Sequence, residues 1–409
     1  MIEIKTDQLK HGMVLAEDVC NSNGRLLLPK GQELEVGHLR ILKMWGIFQI
    51  RIEGDDPDGL EPVDGQDAAR SDQARMDILQ RFANLDPDHP AVREVVEICV
   101  AFRLKHGPFP SPAPVESRPA SPEAPADAAK IMAGFEQRDI KLPEVPSLVF
   151  ELNEIMANPL TSSGDIAQVV NKSPSLAALL LKLVNSAFYG FRTRIGEITR
   201  AVTLIGSKEI SNLAMGITIM TSFGGIPKKI IDVAGFMEHS LACGIVSRQL
   251  AAQAGLPQSE QLFASGLLHD IGRLILFKYA PQTALDILAD ARRENHPLLK
   301  SELGRIRLTH MQMGRRLLRK WKLPYELENN VAYHHNPSSS PMPATAAIVQ
   351  MADLMVHGLG LGQSGEHIVP AFDAQAWEQV KLPAGSLYAA VQQSYAQIEP
   401  LRGIFQQDT

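Results

Sequence analysis

Residues 262–277 read LFASGLLHDIGRLILF and set two polar side chains, His269 and Asp270, in an otherwise apolar helical pattern. Asp270 shares one predicted helix face with Phe263 and Leu274, and His269 lies on the adjoining face. A buried ionised carboxylate is strongly disfavoured unless a cation or several hydrogen-bond donors accompany it. The stretch therefore predicts one buried helix that carries a polar site.

Further candidate ligands occur in helical patterns on both sides of this stretch, and most of them lie on apolar helix faces. The full set is His239, His269, Asp270, His310, His334, His335 and Asp353. Several imidazoles together with two carboxylates suit Fe, Mn, Zn or Ni rather than Ca or Mg. The pattern predicts one or two divalent transition metal ions. The alternative is a set of core histidines that make ordinary hydrogen bonds.

The range 135–358 follows helical spacing almost throughout and is interrupted by Gly and Pro stops such as Asn158-Pro159. Strand signals are nearly absent there, so we expect one large all-helical domain. Residues 359–409 begin with a Gly-rich loop and are predicted to form a C-terminal extension with a helix near Gly385–Ile398.

The N-terminal residues 1–53 predict a small β-rich module with mixed α/β structure. Asn23-Gly24 is typical of a hairpin turn. A helix is expected at Val36–Trp45, where Leu39, Leu42 and Trp45 share a face. The strand-prone runs are Met13–Ala16, Arg25–Leu28 and Phe48–Ile52.

Two connecting segments separate this module from the helical domain. Residues 54–104 predict an acidic linker followed by helical patterns at Gln73–Phe82 and Ala91–Leu104. Residues 105–130 are rich in Pro, Ala and Ser and poor in large apolar residues, which favours an extended, disordered tether. The chain as a whole is therefore predicted to be mainly α, with a small mixed module ahead of a helical domain.

The composition of the 409 residues excludes several classes of protein. The formal charge of −6 gives no reason to expect direct nucleic-acid binding. Cys20, Cys99 and Cys243 form no C-x-x-C pair, which favours reduced thiols in a cytoplasmic protein over a disulfide or a cysteine-type zinc site. We expect no signal peptide and no membrane span, because no apolar run approaches the roughly 18–20 residues that a span requires.

Four segments resemble the HDOD domain, a relative of the HD and HD-GYP metal-dependent phosphohydrolases, over roughly residues 137–358. They are LPEVPSLVFEL at 142–152, SLAALLLKLVNSAFYG at 175–190, ITRAVTLIG at 198–206 and LLHDIG at 267–272. The segment LKHGMVLAEDVCNSNGRLLLPKGQEL at 9–34 also resembles a small module found ahead of HD-GYP domains. The resemblance implies an all-helical signalling domain of bacterial regulatory proteins, related to cyclic di-GMP enzymes, and its metal positions fall on the seven candidate ligands.

Three departures from the HD-GYP pattern imply that metal binding is kept while cyclic-dinucleotide hydrolysis is lost. The paired histidines are followed by NPSSSPMP, which contains no Gly-Tyr-Pro triad. Arg273 replaces the lysine that can meet a phosphate in the family. Gly235 stands where some members place a glutamate.

A basic stretch at Arg305–Lys322 contains seven Lys and Arg residues and no acid. Arg315 and Arg316 in this stretch, together with Arg273, are candidates for contact with a phosphate-containing ligand. The alternative for the stretch is a solvated helix face.

Three functions follow from these patterns. The first is a regulatory signalling protein that binds a metal, and a protein partner or small ligand, with little or no turnover. The second is a metal-dependent phosphodiesterase or phosphohydrolase acting on a nucleotide or cyclic dinucleotide, in which Asp270 and Arg273 serve catalysis. The third is a helical scaffold without metal.

Overall fold

The computed structural model describes residues 2–5, 9–20, 26–35, 38, 42, 49–53, 65–107, 145–158, 160–185, 189, 191, 193–256, 259–383 and 385–402. The chain divides into two compact units. One comprises Met1–Pro110 with Pro383–Ala389, and the other comprises Ser111–Leu382 with Ala390–Thr409.

The first unit contains two short antiparallel strand pairs. Strand β1 (Ile2–Lys5) pairs with β4 (Gln49–Ile52), and β2 (Val19–Cys20) pairs with β3 (Leu26–Leu28). The expected strand at Met13–Ala16 is present only as isolated bridges from Val14 and Leu15. Apolar side chains of these segments form one core, made of Leu9, Leu15, Val19, Leu28, Leu34, Leu42, Ile50 and Ile52. The Asn23-Gly24 turn and most of the expected Val36–Trp45 helix lie outside the described residues.

Two helices, α1 (Gly65–Arg81) and α2 (Pro90–His106), contact each other in the same unit. Helix α2 starts at a proline, and the His89 ring accepts a hydrogen bond from the Ala91 amide at this end. The predicted helical segment within 54–104 is therefore helical over most of its length. Residues 108–130 of the expected tether lie outside the described residues.

All regular secondary structure in the described part of the second unit is helical, as the apolar periodicity predicts. Its helices are α3 (Ser147–Ala157), α4 (Ser163–Asn171), α5 (Pro174–Val184), α6 (Ile198–Ile205), α7 (Ser207–Thr221), α8 (Val233–Gln253), α9 (Ser259–Leu268), α10 (Ile271–Tyr279), α11 (Pro281–Arg293), α12 (Leu298–Ile306), α13 (His310–Lys320), α14 (Tyr325–Tyr333), α15 (Pro343–Leu359) and α16 (Ala374–Trp377). Helix α17 (Ser386–Ile398) lies where the C-terminal helix was expected. Within the described part of the chain, no helix is both long and apolar enough to cross a membrane.

The expectation of one continuous helix over residues 262–277 is wrong. Helix α9 ends at Leu268 and α10 begins at Ile271, so that His269 and Asp270 form the junction. Neighbouring residues of a continuous helix point about 100° apart. The break allows both side chains to face one site.

Glycines allow the helices around this junction to approach closely. A Cβ atom on Gly272 of α10 would lie 1.8 Å from the carbonyl oxygen of His310, and one on Gly266 of α9 would lie 2.5 Å from that of Cys243. Only a residue without a side chain fits such backbone contacts. The first contact brings the N-terminal ends of α10 and α13 together, and with them Asp270 and His310.

Candidate metal centre

The structure brings all seven predicted ligand residues together from five segments. His239 lies on α8, His310 begins α13 and Asp353 lies on α15. His269 and Asp270 form the α9–α10 junction, and His334 and His335 directly follow α14. The donor atoms fall into two groups, in each of which all of them lie within 4.8 Å of one another. The Asp270 cluster is Asp270, His310, His334 and His335, and the Asp353 cluster is His239, Cys243, His269 and Asp353.

Imidazole nitrogens surround the carboxylate of the Asp270 cluster. Oδ1 of Asp270 lies 3.3 Å from Nε2 of His310 and 3.7 Å from Nε2 of His334, and Oδ2 lies 3.4 Å from Nε2 of His269. The Nε2 atoms of His310 and His334 are 3.3 Å apart. Among the described residues, neither oxygen of Asp270 accepts a hydrogen bond of good geometry. Three imidazole nitrogens thus surround one buried carboxylate.

The Asp353 cluster has a similar centre. Oδ1 of Asp353 lies 3.2 Å from Nε2 of His239 and 3.5 Å from Nε2 of His269. Sγ of Cys243 lies 3.5 Å from Nε2 of His239. His269 therefore stands between the two carboxylates and joins the clusters.

Three of the histidines are held through their second ring nitrogen. Nδ1 of His269 contacts the Gly266 carbonyl at 2.7 Å, and Nδ1 of His334 contacts the Val331 carbonyl at 2.9 Å. Nδ1 of His310 contacts the Glu302 carboxylate at 2.8 Å. Because an oxygen there accepts a hydrogen bond from Nδ1–H, each of these rings, in its neutral form, presents its Nε2 lone pair to the aspartates. Lone pairs facing a carboxylate repel it unless a metal ion or a proton lies between them.

Opposed charges and burial shift the pKa values in this region. Burial lowers the pKa of His269, but the carboxylates of Asp270 and Asp353 outweigh it and raise that pKa to about 10. Burial lowers the pKa of His239 and that of His334 to about 4. Burial opposes ionisation of Asp270, yet Arg273 and His269 hold its pKa well below the usual value. Without a metal, a proton on His269 supplies the missing positive charge.

The arginine that follows the His-Asp pair is buried and already bound. Arg273 is 1% exposed, its Nη1 donates to Ser364 Oγ at 2.8 Å, and its Nη2 donates to Glu366 Oε2 at 3.3 Å. Its Nε lies 3.2 Å from Oδ1 of Asp270. Burial raises the pKa of Glu366 to about 8 although Arg273 lies beside it. The charge of Arg273 thus stabilises the Asp270 carboxylate, while its hydrogen bonds go to the segment after α15.

The other two phosphate candidates lie on α13. Nε of Arg315 donates to Glu328 at 2.9 Å, and Arg319 pairs with the same carboxylate. Arg316 is partly exposed on the same helix. Part of the positive charge of this basic stretch is therefore balanced by Glu328.

Sequence reasoning missed several residues of the centre. Glu302 holds His310, and Ser364 and Glu366 hold Arg273. His357 places Nε2 at 3.3 Å from Oδ1 of Asp353. The spacing of four residues from Asp353 to His357 could have identified His357, since residues four apart share a helix face. Glu302 carries no comparable signal.

The comparisons with known proteins agree with this architecture. Residues 142–337 match the family model of the HDOD domain. The match begins after the N-terminal module, whose resemblance to modules ahead of HD-GYP domains stays a prediction. It ends before Asp353, so α15 and the segment after it lie beyond the matched range.

One curated relative is an uncharacterized protein of Treponema pallidum (strain Nichols), 24% identical over 289 residues. The alignment covers 66% of this chain and 54% of the relative, so the chain spans about half the length of that protein.

Solved structures with the same fold include an HDOD domain protein with unknown function from Geobacter sulfurreducens. It has a TM-score of 0.56 and 20% identity, and the match covers 68% of this chain and 97% of that one. A "Putative signal transduction protein" from Marinobacter aquaeolei VT8 has a TM-score of 0.55 and 20% identity, over 75% and 73% of the two chains. A "Putative phosphohydrolase" from Shewanella amazonensis SB2B has a TM-score of 0.53 and 20% identity, over 68% and 98%. At this identity the likeness establishes the fold alone.

Proposed function

We propose that this chain is a bacterial signalling regulator that binds divalent transition metal ions with little or no turnover. Its central part is the HDOD domain at residues 142–337. The ions would be one or two of Fe, Mn, Zn or Ni. His239, His269, Asp270, His310, His334, His335 and Asp353 would hold them. The proposed partner is a protein of a signalling pathway or a phosphate-containing ligand. The cytoplasmic location expected from the cysteines stays a prediction.

One observation carries the metal proposal. His269, His310 and His334 are each anchored through Nδ1, and their Nε2 atoms converge on the carboxylate of Asp270 at 3.3–3.7 Å. Ligands at about 2.1 Å from a tetrahedral or octahedral ion lie about 3.0–3.4 Å apart. The observed separations are close to that range, and the outer hydrogen bonds are those that orient metal-binding histidines.

The burial of six of the seven donors supports regulation over turnover, while His335 is half-buried. His239, His269, His310 and His334 are 0% exposed, and Asp270 and Asp353 are 1% and 2% exposed. Structural metal sites are closed, whereas catalytic sites keep an open position for water and substrate. Arg273, the cation expected to meet a phosphate, is buried and bound to Ser364 and Glu366.

Metal analysis of the full chain purified without chelator tests the proposal. We expect one or two equivalents of a transition metal in the wild type and a clear loss in Asp270→Asn. Asp290→Asn is the matched control, because Asp290 pairs with Arg293 and Arg305 away from the centre. Absence of bound metal in the wild type, both as purified and after loading, would favour the metal-free scaffold.

A metal-dependent phosphohydrolase is the second candidate, favoured by the position of Asp270 between imidazoles of both clusters. A bound divalent ion there would lower the pKa of a water ligand and polarise a phosphoryl oxygen. Assays of cyclic di-GMP, cyclic nucleotides and generic phosphodiesters with metal-loaded protein separate the two functions. Steady hydrolysis that is abolished by Asp270→Ala would establish the enzyme and overturn the regulator.

A further inference from the structure

The oxygen at the centre of the Asp353 cluster faces three imidazoles. Nε2 atoms lie 3.2 Å away in His239, 3.5 Å away in His269 and 3.3 Å away in His357. This oxygen accepts no hydrogen bond of good geometry from the described residues. The three distances are close to those between ligands that share one ion, which lie about 3.0–3.4 Å apart at bond lengths of about 2.1 Å.

The position of His357 beside Asp353 is fixed by helix α15. His357 lies one turn after Asp353 on α15, so the two side chains share a helix face. Its ring centre is 4.6 Å from that of His239, and its side chain is 10% exposed. Helix α15 ends at Leu359, and Gly360 continues in the left-handed region at φ 65°.

The segment that follows packs directly against the site. The backbone amide of Gln363 donates to the Gly235 carbonyl at 3.0 Å, and a Cβ on Gly362 would lie 2.3 Å from the backbone nitrogen of His239. Ser364 Oγ lies 3.1 Å from Nε2 of His357 and also accepts from Arg273. Because Nε2 of His357 is also the atom that faces Asp353, a metal ion bound there would take the place of this contact, and Ser364 would keep its hydrogen bond with Arg273.

We propose that His357 is a metal ligand of the Asp353 cluster, which then offers three imidazoles and one carboxylate from α8, the α9–α10 junction and α15. The inference rests on the proposed metal binding. Such a set of nitrogen and oxygen donors suits Fe, Mn or Zn. Cys243 is the competing donor: its Sγ lies within 4.8 Å of donor atoms of His239, His269 and Asp353, a group that does not include His357, and 3.5 Å from Nε2 of His239.

The test is a titration of metal-free full-length protein with Co²⁺, monitored by absorption, by chelator competition and by X-ray absorption. The variant His357→Gln removes the imidazole and keeps a polar group beside Ser364. We expect the affinity of one bound equivalent to fall at least about tenfold, with fewer imidazole ligands in the X-ray absorption spectrum. The other equivalent should be retained. His367→Gln is the matched control, since the charged groups beside His367 are Arg292 and His296 and not the proposed ligands, and it should bind as the wild type does.

The outcomes separate this inference from the proposal on which it rests. A wild type that binds no Co²⁺ would end both. A wild type that binds Co²⁺, with His357→Gln unchanged in stoichiometry, affinity and spectrum, would overturn the role of His357 and leave metal binding intact. Loss of a cobalt–thiolate absorption band in Cys243→Ser, with His357→Gln unchanged, would assign the position to Cys243 instead. Thermal unfolding of the metal-free variants checks folding, and His357→Asn provides a second, smaller substitution for the same measurements.

Discussion

The Asp270 and Asp353 clusters contain similar donors but differ in what supports them. In the Asp270 cluster, Glu302 holds His310, a backbone carbonyl holds His334, and the Nε of Arg273 lies 3.2 Å from Asp270. In the Asp353 cluster, Nδ1 of His239 is buried without a hydrogen-bond partner among the described residues. Burial, together with Asp353 and Asp270, raises the pKa of Cys243 well above its usual value, so the thiol is protonated without a metal.

The difference indicates how far each site is built before an ion arrives. Outer hydrogen bonds fix the tautomer and orientation of a metal-binding histidine and raise its affinity. In the Asp270 cluster two histidines, His310 and His334, have these bonds, and Arg273 balances the charge of Asp270; in the Asp353 cluster His269 has one. The Asp353 cluster depends more on α15 and the segment after it. We therefore expect the Asp270 cluster to bind its ion more tightly.

The largest effect is expected from Gly272→Ala, which should disrupt the Asp270 cluster. The new Cβ would lie 1.8 Å from the carbonyl oxygen of His310 and 2.9 Å from the Gly314 amide nitrogen. Backbone atoms cannot move aside as a flexible side chain can, so α10 and α13 must separate. We expect the free energy of unfolding to fall by at least about 3 kcal/mol, measured by chemical denaturation, with loss of metal from this cluster.

The matched control for this substitution is Gly304→Ala. Gly304 is exposed on α12, has helical backbone geometry, and an added Cβ would meet no atom within 4 Å. Alanine there should stabilise the chain by about 0.5–1 kcal/mol. Equal losses in the two variants would contradict the role given to the close contact at Gly272.

Asp270→Asn and Asp353→Asn compare the clusters directly. Asp270 contacts imidazoles of both clusters, namely those of His269, His310 and His334. Asp270→Asn should therefore lower the binding affinity for both ions, and that for the tighter ion by more than about 100-fold. Asp353→Asn should weaken only the ion of its own cluster. Chelator competition on each variant measures the two affinities. A larger overall loss in Asp353→Asn would reverse the ranking of the clusters.

The sequence predicted the helical class and the residues that meet, because apolar stripes and polar exceptions are local patterns. His239 and Asp270 were identified as buried for this reason, and they are. The break at His269 was missed; just after it, Gly272 packs against the backbone of α13, which is a tertiary contact. Local spacing carries no information about such a contact.

The supporting residues were harder to predict than the ligands. Glu302 lies in a short helix between Ser301 and Leu303, where an acidic residue is usually exposed. Its burial at 1% depends on the position of His310, eight residues on. Ser364 and Glu366 follow a Gly-rich run that has no periodicity, and only the folded chain shows that this segment packs on the centre.

The pH dependence of metal-free protein separates His269 from the other histidines. The pKa of His269 is raised from 6.5 to about 10, so its stabilising contribution is complete below about pH 6.5 and is lost as the pH rises towards 10. The pKa values of His239 and His334 are lowered to about 4, so their contributions are lost as the pH falls from 6.5 towards 4. The melting temperature of the metal-free protein should therefore be highest near neutral pH. Metal-loaded protein should lose less at alkaline pH, and identical profiles for the two forms would contradict this account.

Glu302→Gln is expected to have the smallest effect and to act on the Asp270 cluster alone. The carboxylate of Glu302 accepts from both the backbone amide and Nδ1 of His310, at 2.9 Å and 2.8 Å. Both of these contacts are made to Oε2, and Oε1 lies 2.9 Å from the same Nδ1. In glutamine an NH2 group replaces one of the two oxygens and the negative charge is lost, so His310 loses part of its orientation. We expect the affinity of the Asp270 cluster to fall about tenfold, within the range for outer-shell changes, while the Asp353 cluster, which has no corresponding carboxylate on His239, stays unchanged. Chelator competition resolves the two, and an equal loss at both ions would show that the clusters are coupled through His269 rather than supported separately.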